Sequence, residues 1–128
     1  MTVLDSAELV AFVPAADLGR ARHFYETVLG LPCVDATAIA SVFDCGGTTL
    51  RVTLVPDFSP APYTVIGWAV PDLRAAVQNL IEQSVVMERY PGIDQDERSI
   101  WTTPGGDQVV WFKDPEGNTL SLTQPAGR

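Results

Sequence analysis

The sequence predicts an α+β fold of tandem βαβββ modules forming a curved mixed sheet around a cleft, with the helices on the outer face. Three observations predict it. The stretch LVAFVPAADLGRARHFYETVLGL, an apolar strand followed by a helix, has a second copy, VIGWAVPDLRAAVQNLIEQ, beginning at Val65. The stretches GTTLRVTL (47–54) and GNTLSLTQ (117–124), which close the two halves, superpose without a gap. Finally, apolar residues alternate with polar or aromatic ones along the strands, so that one sheet face is core and the other lines an opening.

Taken in order, the first strand spans Glu8 to Val13, with Glu8, Val10 and Phe12 on one face and Leu9, Ala11 and Val13 toward a helix. Asp17 is placed to cap that helix. From Leu18 to about Leu29 it sets Leu18, Ala21, Phe24, Tyr25, Val28 and Leu29 along one side, and Gly30 stops it. In Thr49 to Leu54, Thr49, Arg51 and Thr53 oppose Leu50, Val52 and Leu54. The second half repeats the scheme. Asp72 caps a helix from Leu73 to about Gln83, with Leu73, Ala76, Val77, Leu80 and Ile81 inward and Arg74, Gln78 and Glu82 solvated. Trp68 alternates with Gly67 and Ala69 and belongs on the helix side. The segment VVMERYPGIDQDERS, 85–99, mixes Pro, Gly and acids and reads as a mobile rim carrying Tyr90. In WFKDPEGNTLSLTQ a tight DPEGN turn joins two strands, with Thr119, Ser121 and Thr123 on one face and Leu120 and Leu122 on the other. Residues 1–128 are expected to form one domain, with module 1 at about 7–56 and module 2 at about 63–125.

Composition narrows the function. A chain of 128 residues with 46% hydrophobic content can bury a real core, and 19% charged residues argue against disorder. The N-terminus MTVLDSAELV carries acids where a signal peptide would be basic, and the apolar runs are short, so a cytoplasmic protein with no membrane partner is expected. A net charge of −8 with only 8 Lys and Arg excludes a nucleic-acid surface; it favours a cationic ligand, or is plain solubility charge. Cys33 and Cys45 lack a CxxC spacing and read as buried free thiols. The only histidine, His23, points away from the apolar helix face, which leaves Ser-His-Asp and Cys-His mechanisms without a base. No P-loop, GxGxxG or HExxH is present.

DLGRARHFYETVLGL and WFKDPEGNTLSLTQ, in this order and in tandem modules, resemble the vicinal oxygen chelate superfamily, which includes glyoxalase I, extradiol dioxygenases and the fosfomycin and bleomycin resistance proteins. The resemblance covers essentially the whole chain. It implies metal ligands on the first and last strand of each module, at positions occupied here by Val10, Arg51, Val65 and Ser121. Two hydrocarbons, a cation and a neutral hydroxyl cannot hold a divalent ion, so no metal and no other cofactor is expected. The metal-free, acidic, bleomycin-resistance-like branch is the one it matches, which implies sequestration of a small organic ligand, cationic or aromatic, in a homodimer.

The residues themselves supply candidates. Arg51 projects from the ligand-facing side and must meet either an internal carboxylate such as Glu8 or an oxygen of a ligand. Phe12, Phe43, Trp101 and Trp111 fall on strands and, with Tyr90, form either an apolar stacking wall or core; Thr53, Thr103 and Ser121 can add hydrogen bonds. Glu8, Asp44, Asp94, Asp96 and Glu97 are the acids available as a base. Two readings follow. One is a metal-free binding protein. The other is a metal-independent isomerase or lyase in which Arg51 anchors a carboxylate or oxyanion and Glu8 or a loop acid is the base. A scaffold module without ligand is a third.

Overall fold

The same local device starts both helices. Asp17 and Asp72 stand in extended backbone before α1 (Leu18–His23) and α2 (Leu73–Glu82), and each carboxylate accepts from a first-turn amide, that of Arg20 or Ala75, at 3.1 Å. Each bond satisfies a donor that the helix leaves without a partner. α2 then buries Leu73, Val77 and Leu80, as its periodicity requires, whereas Ile81, expected inward, is exposed in the last turn. α1 departs from the expected run to Leu29. After His23 the chain widens into a π turn, Phe24–Val28, closed by the Leu29 amide on the Phe24 carbonyl at 3.0 Å. The wider turn accompanies the burial of two consecutive rings, Phe24 and Tyr25. Gly30, at φ +75°, then ends the helix in a conformation that side chains resist.

The computed structural model describes residues 2–127, and the chain divides into two compact units, Met1–Ser59 and Pro60–Arg128. Each unit is a βαβββ module built on a four-stranded mixed sheet. In unit 1, β1 (Val10–Ala15), β2 (Cys33–Ala36), β3 (Ala40–Cys45) and β4 (Thr48–Leu54) lie in the order β1-β4-β3-β2, with β1 parallel to β4 and the other pairs antiparallel. In unit 2, β5 (Thr64–Ala69), β6 (Trp101–Thr102), β7 (Gln108–Lys113) and β8 (Thr119–Gln124) repeat that order as β5-β8-β7-β6. The first strand starts at Val10 rather than Glu8 and runs on through Pro14. At the edge of the sheet a proline is tolerated, because one side of the strand needs no ladder donor. Glu8 and Leu9 therefore lie outside the strand, and both are exposed.

Alternation sorts the side chains. Val13, Ala15, Leu50 and Val52 are buried with Ala21 and Tyr25 in unit 1, while Phe12, Arg51 and Thr49 share the opposite face. Phe43 does not belong to that opposite face. It pairs in register with Leu50, is fully buried, and its ring lies 5.8 Å from that of Tyr25, so it is core and not a ligand-facing residue. In unit 2, Val110, Phe112, Leu120 and Leu122 are buried with α2, and Trp68 lies beside Leu122 on the same side, as its alternation requires. Among the described residues no helix is long and apolar enough to cross a membrane.

The turn between β7 and β8 is held from within. The buried Asp114 carboxylate accepts from the amides of Glu116 and Asn118 and from the Asn118 side chain, each at 2.9 Å. The backbones of Asp114 and Asn118 pair as well, and Gly117 takes φ +89°. Asp114→Ala strands two buried amides, so it is expected to lower the unfolding free energy by about 2–3 kcal/mol in urea titration. A loss below about 0.5 kcal/mol, within ordinary surface-mutation scatter, would mean that the turn does not depend on this carboxylate.

Candidate functional site

Trp101 of β6 and Trp111 of β7 lie on the face of the unit 2 sheet opposite α2, while Phe112 of β7 lies in the core. Trp101 pairs with Val109, two residues before Trp111, so the two indoles are diagonal neighbours; their centroids are 6.1 Å apart with planes at 25°. Tyr90 stands nearly perpendicular to Trp111, at 84° and 5.5 Å. Together with Pro62, Tyr63, Thr64, Ile93 and Thr119 these rings line a cavity of about 360 Å³. The indole Nε1 of Trp111 donates to Thr64 Oγ1 at 3.1 Å, Thr64 pairs in register with Thr119, and the Thr119 side chain is near enough to the Tyr90 phenol to favour its ionised form. The wall is mainly aromatic, with neutral hydroxyls set among the rings.

Tyr90 and Ile93 come from the segment expected to be a mobile rim, and the structure shows it fastened. Gln95, 8% exposed, accepts from the Tyr90 amide at 2.7 Å and donates to the carbonyls of Glu88 and Ser99, each at 2.9 Å. Arg89 donates to the carbonyls of Gln95 and Asp96 and to the Ser99 hydroxyl. At its two ends the segment forms single bridges, Met87 with Phe112 of β7 and Gln95 with Trp101 of β6. The amide of Gln95 is therefore the central tie that carries Tyr90 to the indoles. Gln95, Thr64, Thr119, Tyr63 and Ile93 were not singled out from the sequence. The only signal for any of them is the parity of Thr119 with Ser121.

The other expected site residues do not join this pocket. Thr103 closes a turn, its Oγ1 accepting from the Asp107 amide at 3.1 Å. Ser121 pairs with Trp111 but its hydroxyl lies over Gly67, where any side chain on the glycine would collide with it. Asp96 accepts from the amides of Arg98 and Ile100, Glu97 pairs with Arg98, and Asp44 accepts from the Gly47 amide. Arg51, Phe12 and Thr53 lie in unit 1 on one sheet face, Phe12 beside Arg51 and 60% exposed. Among the described residues Arg51 forms no ion pair, with Glu8 or any other acid. The Thr53 hydroxyl oxygen is buried without a hydrogen-bond partner.

The donor set at the implied metal positions fails on chemistry. In unit 1, Val10 and Arg51 share a face; in unit 2, Ser121 pairs with Gly67, and Val65 falls where the register of β5 shifts and has no partner in β8. Two aliphatic chains, a guanidinium and a neutral hydroxyl offer a divalent ion no adequate ligand set. Among the described residues no group of three or more His, Cys, Asp or Glu side chains is placed to hold a metal ion.

A fold of paired βαβββ modules of this register defines a family, and the chain belongs to the Glyoxalase/Bleomycin resistance protein/Dioxygenase superfamily, whose model matches residues 7–122. Among solved structures it is similar to lactoylglutathione lyase from Agrobacterium tumefaciens, at 20% identity over 93% of both chains and a TM-score of 0.73. A superfamily member from Sphaerobacter thermophilus is 22% identical over 96% of this chain and 100% of the other, with a TM-score of 0.75. One from Alicyclobacillus acidocaldarius is 17% identical over 94% and 92%, with a TM-score of 0.70. At these identities the likeness is one of fold. No curated protein matches the chain.

Tyr90 offers a direct probe of the pocket. Its burial, and next the nearby Glu88 carboxylate, push the phenol above its ordinary value of 10.0, while the hydrogen bond with Thr119 pulls it part of the way back. A raised folded-state value means that the protonated phenol's contribution to stability is complete below the ordinary value and is lost as pH climbs through the folded one. Ultraviolet difference titration of wild type against Tyr90→Phe is expected to give a midpoint above the ordinary tyrosine value, lowered in part by Glu88→Gln. A midpoint at or below that value would show the phenol to be solvated and the wall open.

Proposed function

We propose that this protein binds a small organic molecule in the unit 2 pocket and sequesters it, as bleomycin-resistance-like members of the superfamily do, without using a metal at the implied ligand positions. The observation that carries this reading is the fastened corner of Tyr90, Trp101 and Trp111, a preformed stacking surface of a volume usual for small-molecule sites. The Trp111 indole is tied to Thr64 and the Tyr90 amide to Gln95 before any ligand arrives, which reduces the ordering cost of binding. The same reading takes the working form to be a cytoplasmic homodimer, consistent with the edge strands β1, β2 and β5. Isothermal titration against a panel of aromatic antibiotics and related natural products is expected to give saturable binding with at least one member. Trp111→Ala should weaken it about tenfold or more, the range seen for removing a buried aromatic anchor. Absence of saturable binding across a broad panel would count heavily against sequestration.

A second reading is favoured by one observation in unit 1. Arg51 is a cation without an ion pair among the described residues, on the same sheet face as the unpartnered Thr53 hydroxyl. Such a pair suits a carboxylate or a developing oxyanion, as in an isomerase or lyase, with Glu8 as an exposed base before β1. In that case Arg51→Ala removes turnover by about a hundredfold or more while the melting temperature is unchanged. Unaltered turnover in the variant would end this mechanism.

A further inference from the structure

We propose that the unit 2 pocket selects an organic cation whose charge is carried by an alkylated nitrogen, a quaternary ammonium or an N-alkylated flat ring, over a neutral aromatic of the same shape and over any anion. This rests on the binding reading above and names its ligand class. Trp101 and Trp111 are stacked at 25°, Tyr90 stands edge-to-face with Trp111 at 84°, and all three line the same cavity, so a group in it meets more than one ring. The faces of these rings carry the negative side of the aromatic quadrupole, and indole is the strongest of them.

Electrostatics favours the same sign. The lining contains no Lys, Arg or His. The Glu88 carboxylate, paired with Lys113 at 3.8 Å, lies near enough to Tyr90 to act, after burial, in raising its phenol. Overall the chain carries −8, which favours approach of cations.

Hydration separates the candidates further. The Trp111 indole N–H is committed to Thr64, and the remaining polar side-chain groups of the lining are neutral. An anion entering the pocket would lose its water and meet no cation to offset the loss. A primary ammonium, with three N–H donors, is held strongly by water and gives up more on entering. An alkylated cation gives up less, and keeps its attraction to the rings.

The test uses the full chain and three probes of one shape, followed by titration calorimetry and tryptophan fluorescence at neutral pH: N-methylquinolinium, quinoline and quinoline-2-carboxylate. The expected result is that N-methylquinolinium binds about tenfold more tightly than quinoline and that the carboxylate does not bind. Glu88→Gln should weaken the cation severalfold at low salt and leave quinoline unchanged. Trp111→Ala should remove the preference, and Tyr90→Leu, a change on the surface loop, should reduce it if the tryptophan variant fails to fold. Equal affinity for the cation and quinoline overturns the selectivity and leaves the binding reading standing. Failure of all three probes, with fluorescence unmoved, overturns the selectivity, while the antibiotic panel independently decides the binding reading. Cation preference that survives both ring substitutions overturns the placement of the site.

Discussion

The unit 2 pocket depends on the register of β7 against β8, and the Asp114 carboxylate helps to hold it. By accepting from Glu116 and Asn118 it closes the turn so that Trp111 stands opposite Ser121 and Phe112 opposite Leu120. A slip of one residue would carry Phe112 and Leu120 out of the core and bury Trp111 in their place, because side chains change face at every residue. With the register kept, Val110, Phe112, Leu120 and Leu122 pack on the helix side, and Trp111 is delivered to the open face beside Trp101. The site is thus a by-product of the same alternation that makes the core.

A second constraint acts on the loop above it. Residues 85–99 have few apolar side chains to bury, so hydrogen bonds order them. Gln95 is nearly buried and its amide meets three backbone groups, a demand that a shorter or charged side chain cannot satisfy in the same way. Ser99 takes φ +68° in this arrangement, a conformation that the surrounding bonds must sustain. The outcome is a ring, Tyr90, held by its amide at Gln95 and packed against Trp111.

The two modules share a framework and have diverged on the open face. Phe12 and Gly67 hold equivalent places beside Arg51 and Ser121. In unit 1 the pair is a ring and a guanidinium. In unit 2 it is a bare backbone with a hydroxyl resting on it, since Gly67 leaves no room for a Cβ. Neither pair is metal chemistry, and the difference explains why the aromatic cavity forms where bulk is provided from β6, β7 and the loop rather than from the first strand.

The sequence by itself determined the tandem modules, the aspartate caps, the buried face of each helix except at Ile81, and the core parity of β4 and β8, because each follows from local periodicity and from a repeat that checks itself. It also singled out Tyr90, Trp101 and Trp111, though not that they meet. Phe43 stayed open between wall and core because Val42 and Phe43 are both apolar, and local alternation cannot say which faces the core; the pairing of Phe43 with Leu50 decides it. Thr64 and Gln95 were illegible for the same kind of reason. Their roles are hydrogen bonds to groups far away or around a loop, and a polar side chain carries no sequence mark of the partner it will find. Only the tertiary structure, by fixing strand register and seating the loop, decided which rings form a wall and which polar atoms are used up in holding it.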